Sequence, residues 1–450
     1  MSAEASQPVG RAIAAKVLAR VWHERAFAAP TLDAELRRQP RLDPRDVGLC
    51  TELVYGVLRT APWLEQRIDR LASRADYKRR PLVRAQLLIA AYSLAFLDRI
   101  PAYAAVSEAV AGIRAASDER VARFANAVLR KLAIELGPAA PGRLEQAVAA
   151  ALPSWLREAF EQALGADEAA RFLGALPLPP ALGLCLRAGE ERAAWVERLQ
   201  QAAPGATIEP GSVSPRCIRV RGAGDPRRLP GAEQQWIAQE EGAQAVALCA
   251  GAGPGESVLD ACAGRGGKAL LLGEQVGSAG AVDAADLAQA KLRRLREGPA
   301  YAGLVRSCFA VDWTRGTGDV PAGYDRALVD APCSGVGTIG RRPEIAQRLE
   351  PADVTRLAAL QQAIVRRVAS RVRTGGKLVY AVCSVLRAET DAVVAALATP
   401  SSEGSERLSP APFDAELGRT LSGGATSLRL LPQVHGTDGY FIASFVVQRD

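Results

Sequence analysis

Ser257-Val-Leu-Asp-Ala-Cys-Ala-Gly-Arg-Gly-Gly-Lys268 reads as a buried strand that runs into a glycine-rich turn and then into a helix. Gly264, Gly266 and Gly267 let the backbone reach positive φ and come close to a ligand. A strand, turn and helix joined in this way cradle a nucleotide or nucleoside at the carboxyl end of an open α/β sheet. Two familiar cradles do not fit. A P-loop would need Gly where Cys262 stands and Ser or Thr where Ala269 stands, and the glycine spacing is not G-x-G-x-x-G.

Working outward from that turn, the chain from about Leu229 alternates strands and helices in βαβ style. Strands are expected at 257–261, 280–285, 306–311, 325–331, 376–383 and 439–448. From Pro153 to about Arg228 the pattern mixes helix (Trp155–Leu164, Ala193–Ala202) with strand (Leu182–Arg187, Cys217–Val220), which fits a small α+β domain. Residues 9–135 read as helix after helix, with Val9, Ile13, Val17, Val21 and Trp22 at helical spacing, and again Leu87, Leu88, Ala91, Leu94 and Leu97. Pro62, Pro81 and Pro101 are expected at helix starts. Gly137-Pro-Ala-Ala-Pro-Gly142 reads as a linker and Thr399 to Pro412 as a mobile surface loop. The expected domains are 1–140, 150–228 and 229–450, with no internal repeat.

Charge is unevenly placed along the 450 residues. Residues 1–140 carry 22 Lys/Arg against 15 Asp/Glu, and the remaining 310 carry 34 of each, so the whole formal charge of +7 sits in the N-terminal third. That asymmetry suits a polyanion-binding module attached to something else, although Arg-rich solvated helix faces would give the same count. No apolar run approaches the ~20 residues of a membrane span, and Met1–Gly10 has no secretory pattern. The eight cysteines are expected as reduced thiols in a cytoplasmic protein. With no Cys-x-x-Cys and only His23 and His435, no metal site is expected.

An acid at the end of the strand after the cradle would grip ribose hydroxyls. Asp283 and Asp286 are both candidates, Asp286 lying 22 residues after Gly264 (286 − 264), near the ~20-residue spacing for that role. Asp312, ending Cys308-Phe-Ala-Val-Asp, could accept from an adenine amine or could be an ordinary turn or helix-cap residue. Two carboxylates and no phosphate-binding chemistry suit S-adenosylmethionine as the cofactor. Downstream, Tyr324-Asp-Arg-Ala-Leu-Val-Asp-Ala-Pro-Cys-Ser-Gly335 and Gly376-Lys-Leu-Val-Tyr-Ala-Val-Cys-Ser384 each carry a strand into a Cys-Ser turn. Strand carboxyl ends face the ligand crevice, so Cys333 and Cys383 should converge there, with Asp330 beside them. A thiol pair and an acid suit covalent attack on an electron-poor ring. Spacing alone does not say which thiol attacks. Cys50, Cys185, Cys217, Cys249 and Cys308 read as small core hydrophobes, and Cys262 as a packing residue of the loop.

These motifs resemble the RNA cytosine-5 methyltransferases of the Rsm/NOP2/Sun family over nearly the whole chain, nearest the group B enzymes of 16S ribosomal RNA with an N-terminal NusB-like domain. The family's Cys-Ala-Ala-Pro-Gly-Gly-Lys falls on Cys262, Ala263, Gly264, Arg265, Gly266, Gly267 and Lys268. Its ribose acid falls on Asp286, its adenine-side acid on Asp312, its Asp-Ala-Pro-Cys-Ser on Asp330–Ser334 and its Thr-Cys-Ser on Val382–Ser384. The tail Leu431-Pro-Gln-Val-His-Gly-Thr-Asp-Gly-Tyr-Phe-Ile-Ala443 matches the family's closing strand. The resemblance implies an α/β fold: a Rossmann-like class I methyltransferase sheet, preceded by an all-α NusB-like bundle and a small α+β domain opening at Leu152-Pro-Ser-Trp-Leu156. It also implies S-adenosylmethionine bound by 262–268, Asp286, Asp312 and Asp330, attack by Cys383, release assisted by Cys333, and Asp330 at the ring N3.

The chain departs from the pattern at three places: Gly264-Arg265 for Ala-Pro, Gln239-Glu-Glu-Gly242 for Gln-Asp-x-Ser, and Ala346-Gln347 where Lys/Arg-Trp often stands. Arg341 and Arg342, in Gly340-Arg-Arg-Pro-Glu-Ile-Ala-Gln347, are expected to clamp RNA phosphates, with a solvated pair as the plain alternative. The target base must leave its stack to reach such a crevice, which favours a loop or bulge of structured RNA. The reading expects RNA, 16S ribosomal RNA first, as partner of a monomeric cytoplasmic enzyme. Its rivals are a transfer RNA cytosine-5 methyltransferase, a non-catalytic RNA-binding assembly factor and a nicotinamide oxidoreductase, the last lacking its glycine fingerprint.

Overall fold

The apolar stripes of the N-terminal third become the helices Val9–His23, Ala28–Arg37, Pro44–Leu71, Pro81–Phe96, Ala102–Ala116 and Glu119–Leu136. Their inward faces share one core, in which Leu18, Leu53, Val57, Leu64, Leu88 and Leu129 are sealed from solvent. The computed structural model describes residues 9–72, 76–138, 140–298, 301–399 and 406–449. These divide into two units. The first runs to Glu158 and adds Leu173–Leu178 and Ile339–Arg348; the second comprises Ala159–Phe172, Pro179–Thr338 and the chain from Leu349.

Pro81 opens its helix and Pro101 caps the next, but Pro62 lies inside Pro44–Leu71 rather than at a helix start. Proline has no N–H, so the carbonyl of Leu58, one turn earlier, loses its helical donor. Gln347 supplies the replacement: its Nε2 donates to the Leu58 carbonyl at 2.6 Å, and its Oε1 accepts from Trp22 Nε1 at 3.3 Å. Its neighbours in Ile339–Arg348 are tied into the same unit. The Arg59 guanidinium donates to the Gly340 carbonyl at 2.8 Å, the buried Glu344 accepts from the Ala28 amide at 3.0 Å, and Arg348 donates to the carbonyls of Val21, Arg25 and Ala26. Ala346 is buried beside them. The departure at Ala346-Gln347 is thus a packing feature of this unit. Gln347→Ala should cost about 1–2 kcal/mol, the penalty for unpaired buried groups. In a Pro62→Ala background the loss should shrink, because a restored N–H closes on Leu58. A double-mutant cycle on thermal melts reads that coupling.

In the second unit the strands Leu182–Leu186 (β1), Thr207–Pro210 (β2), Cys217–Arg221 (β3) and Trp236–Ala238 (β4) form a small antiparallel sheet in the order β2-β3-β1-β4. The large sheet contains Ser257–Asp260 (β5), Ala281–Asp286 (β6), Ser307–Ala310 (β7), Tyr324–Asp330 (β8), Val372–Val382 (β9), Glu406–Pro410 (β10), Ser427–Leu430 (β11) and Tyr440–Arg449 (β12). Its order is β10-β12-β9-β8-β5-β6-β7, with β11 also on β12. Strands β5 to β9 pair in parallel, and β12 runs antiparallel to β9. Alternate residues feed opposite faces: Val258, Val282 and Leu328 pack with the helices Glu241–Ala250 and Gly267–Val276, while Leu259, Ala327 and Val329 pack with Pro351–Ala369. The chain steps from β5 outward to β6 and β7, then returns to β8 on the other flank of β5. The carboxyl ends of β5 and β8 therefore border the switch-point crevice.

One expectation fails here. Within Thr399–Pro412, read as a mobile loop, Glu406–Pro410 is an edge strand paired with β12, Leu408 facing Val447. A single inward leucine among polar neighbours is too weak a signal of strand, and Pro410 sits at the strand end, where an edge tolerates it. Residues 400–405 lie outside the described ones. Strand β11 was not anticipated either. Among the described residues no helix is long and apolar enough to cross a membrane.

Candidate active site

The glycine turn leaves β5 at Asp260 and is fixed from three sides. The Trp313 indole donates to the Ala261 carbonyl at 2.8 Å, the Ala263 amide to the Ala285 carbonyl at 2.9 Å, and the Tyr301 hydroxyl to the Arg265 carbonyl at 3.0 Å. Gly266, at φ +86°, starts the helix Gly267–Val276; a Cβ there would sit 2.7 Å from Leu295 Cγ and 2.9 Å from Tyr301. Gly264, at φ +58°, has no atom nearer than 3.9 Å where its Cβ would be, so that side of the turn is open. The Arg265 side chain stands in solvent and Cys262 packs into the sheet. Burial, with Asp260 and Asp330 nearby, pushes the Cys262 thiol far up, so it is a packing thiol.

Of the two ribose candidates, Asp283 is committed elsewhere: it is buried, takes the Tyr324 hydroxyl at 2.6 Å and pairs with Arg306. Asp286 ends β6 at the crevice, where it accepts from the amides of Gly264 (2.9 Å) and Ala288 (2.8 Å) and lies 3.4 Å from Lys291 Nζ. Asp312 turns its carboxylate onto its own loop, accepting from the Thr314 hydroxyl at 2.6 Å and amide at 3.0 Å. Those bonds hold it below the usual carboxylate range. This is the turn geometry named above as the alternative to base recognition. The segment Gln239–Gly242 is also accounted for. Gln239 lies against Gly267, Glu240 caps Glu241–Ala250 through the Ala243 amide (3.0 Å), and buried Glu241 takes the amides of Val213 (2.6 Å) and Ser214 (2.9 Å).

The two thiols meet. Cys333 Sγ and Cys383 Sγ are 3.4 Å apart, both partly exposed at the ends of β8 and β9. Behind them, Lys268 Nζ pairs with Asp330 Oδ2 at 2.6 Å, the side chains 15% and 25% exposed. Burial works against the Lys268 charge, yet Asp330 and then Asp260 outweigh it and hold the ammonium above its ordinary value. Cys333 is pushed well above the thiol range, first by its hydrogen bond to Cys383, then by burial. Either sulfur can be the donor in their contact.

Sequence reasoning missed Asp260. It is fully buried at the end of β5, and neither carboxylate oxygen has a hydrogen-bond partner among the described residues. Burial first, opposed by Lys268 and reinforced by Asp330, raises its pKa to about 7. An acid inside the apolar run Val258-Leu-Asp-Ala261 was the signal. Because the folded pKa lies above the unfolded value of about 3.9, the native state holds the extra proton and stability falls as pH rises from about 4 to 7. Asp260→Asn should thus gain on the parent by on the order of 2 kcal/mol between pH 5 and pH 8, read from melts at both values.

Asp286 and Asp330 border an open glycine turn, each beside a lysine, Lys291 and Lys268, while Asp260 lies buried beneath it. Arg341 and Arg342 fall in the first unit, on Ile339–Arg348, with Arg342 exposed. No group of three or more His, Cys, Asp or Glu that could hold a metal ion occurs among the described residues.

Against known families, residues 248–446 match the model for 16S rRNA methyltransferase RsmB/F and residues 9–133 match the NusB family. The chain is 32% identical over 443 residues to the probable ribosomal RNA small subunit methyltransferase B of Synechocystis sp., spanning 96% of this chain and 98% of that protein. It is 31% identical over 445 residues to the ribosomal RNA small subunit methyltransferase B of Erwinia tasmaniensis, spanning 97% and 98%. Among solved structures, PH0851 superposes with a TM-score of 0.79 at 21% identity, over 98% of this chain and 99% of that one. NSun6 from Pyrococcus horikoshii with SFG gives 0.54 at 16% identity, over 66% and 99%.

Proposed function

The chain belongs to the 16S rRNA methyltransferase RsmB/F family and is an rRNA methyltransferase, and from that premise we propose that it methylates C5 of a cytosine in 16S ribosomal RNA through a transient Cys383–C6 bond. The observation that carries the proposal is the contact of two thiols, 3.4 Å apart, beside the Lys268–Asp330 pair at the switch point of the sheet. S-adenosylmethionine, held by the turn 262–268 with Asp286 at the ribose, Asp330 nearby and Asp312 on the adenine side, supplies an electrophilic methyl group when bound. The analogue SFG in NSun6 from Pyrococcus horikoshii supports the same choice of cofactor.

C5 of cytosine is a poor nucleophile. Addition of the Cys383 thiolate to C6 moves the C5–C6 π electrons onto C5, an enamine-type covalent catalysis, and C5 then bonds the methyl carbon as that carbon's bond to the sulfonium sulfur breaks and the neutral thioether leaves. As the ring takes up a proton at N3, that N3–H donates to the Asp330 carboxylate, which Lys268 orients, and the charge that develops there is steadied. Before attack the two sulfurs share a hydrogen bond, and that bond is the first reason the Cys333 thiol is pushed up. Once the Cys383 sulfur is bonded to carbon, this reason disappears. Cys333 can then give up its proton to solvent and remove the C5 proton, and the C5–C6 double bond reforms as Cys383 leaves. The enzyme works where ribosomal RNA is made, in the cytoplasm, and Arg341 and Arg342 with the basic helical unit supply salt-dependent affinity for the RNA backbone.

The test is methyl transfer from labelled S-adenosylmethionine to 16S ribosomal RNA taken from cells lacking this protein, followed by bisulfite sequencing. The proposal requires one protected cytosine that appears only with enzyme. Label on a different base or atom, or on transfer RNA alone, would overturn it.

A further inference from the structure

Each catalytic cysteine is followed by a serine, and both serines point to one fully buried carboxylate. Glu389 Oε1 accepts from the Ser334 amide at 2.8 Å and from Gln361 Nε2 at 3.0 Å; Oε2 accepts from the Ser384 hydroxyl at 2.6 Å and from the Ser334 hydroxyl. Four donors fill the acceptor sites of an ionised carboxylate. Gln361, itself buried, donates to the Pro332 carbonyl at 3.0 Å and takes the Tyr380 hydroxyl at 2.8 Å, and that hydroxyl also reaches the Glu389 carbonyl at 2.7 Å. Ser334 after Cys333 and Ser384 after Cys383 are thus tied to Glu389 directly, and Pro332 before Cys333 is tied to it through Gln361. The Gly337 amide closes the frame on the Cys383 carbonyl at 3.0 Å.

We propose that Glu389 is a positioning residue that sets the separation of the two thiols. It cross-links the turns after β8 and β9 through Ser334 and Ser384, so that the sulfurs meet while neither touches Glu389. This rests on the two-cysteine reading of the site, and it adds the group that makes the pair a pair. A single carboxylate with every lone pair used holds both turns firmly, because moving either one strands a buried donor. An error of 1 Å in a reacting group can cost about 10²-fold in rate.

Two readouts on the full-length protein test it. The first is the rate at which diamide joins Cys333 to Cys383, mapped by peptide mass spectrometry; the diazene is reduced to a hydrazine as the two thiols lose their hydrogens and form one S–S bond. The second is the split between kcat and KM. Glu389→Ala should slow both cross-linking and kcat by about tenfold or more, with KM for RNA and cofactor little changed. Glu389→Gln should restore most of both, because the serine hydroxyls can reverse and accept from the new amide. If Glu389→Ala does not fold, Ser384→Ala leaves a smaller void and should move both readouts in the same direction. Parent-like cross-linking in a folded Glu389→Ala protein overturns the proposal, whatever happens to kcat. Slowed cross-linking in a protein that never methylates RNA would leave this inference standing and sink the proposed reaction instead.

Discussion

Cys383→Ala is expected to abolish methyl transfer, lowering kcat by roughly 10⁴-fold or more, as loss of a covalent nucleophile does. Binding of S-adenosylmethionine should survive, because Asp286 and the turn 262–268 do not depend on that sulfur. Cys333→Ala should fail differently. With the nucleophile present and the base for release absent, the RNA stays bonded to the protein, and a slower band appears on a denaturing gel. The pair of outcomes separates the two thiols. Turnover by Cys383→Ala together with an inert, adduct-free Cys333→Ala would assign attack to the Pro332-Cys333 thiol, the alternative left open by spacing alone. What assigns attack to Cys383 is the likeness of Val382-Cys383-Ser384 to the family's Thr-Cys-Ser; in the contact itself either sulfur can donate.

Lys268→Met should produce the second large effect. The ammonium is the partner of Asp330 at 2.6 Å and also counters the buried Asp260. Removing one member of a buried ion pair costs about 3–5 kcal/mol, and the partial exposure here (15% and 25%) brings the figure down to about 2 kcal/mol. The Lys268 pKa is raised in the folded state, so the pair stabilises fully below the unfolded value of about 10.4 and is lost as pH rises above it. The deficit of Lys268→Met relative to the parent should therefore be present at pH 8 and shrink at strongly alkaline pH. Without the ammonium, Asp260 should also bind its proton more tightly. Activity should fall by about 10² or more, since Asp330 would lose the partner that aims it. Melts at several pH values and single-turnover rates read the two effects separately.

Much of the site was legible because its chemistry lies in short runs. Cys262–Lys268, Asp330–Ser334 and Cys383-Ser384 each sit at the carboxyl end of a strand, and strand order does the gathering. Asp286 was already favoured over Asp283 by its spacing from Gly264 and by the resemblance, and the structure adds that Asp283, inside β6, is consumed by Tyr324 and Arg306. For Asp312 the two readings offered by the sequence, base recognition and a turn residue, stay side by side, and the structure shows the turn bonds to Thr314. Glu389 carries no local signal at all; its three-residue turn Arg387–Glu389 resembles many surface turns, and its role depends on Gln361, 28 residues upstream in sequence.

The amino-acid sequence alone determined the architecture of this protein: a helical basic third, a strand-turn-helix cradle without phosphate chemistry, and two Cys-Ser strand ends on a parallel sheet. It could do so because hydrophobic period and glycine placement are local properties, readable within a dozen residues. Tertiary structure alone decided which groups share a lone pair or a proton. Gln347 answering Pro62, Glu389 clasping two serines and Asp260 buried beside Lys268 are contacts between segments far apart in the chain. Their energies depend on distance and burial, which no linear pattern records.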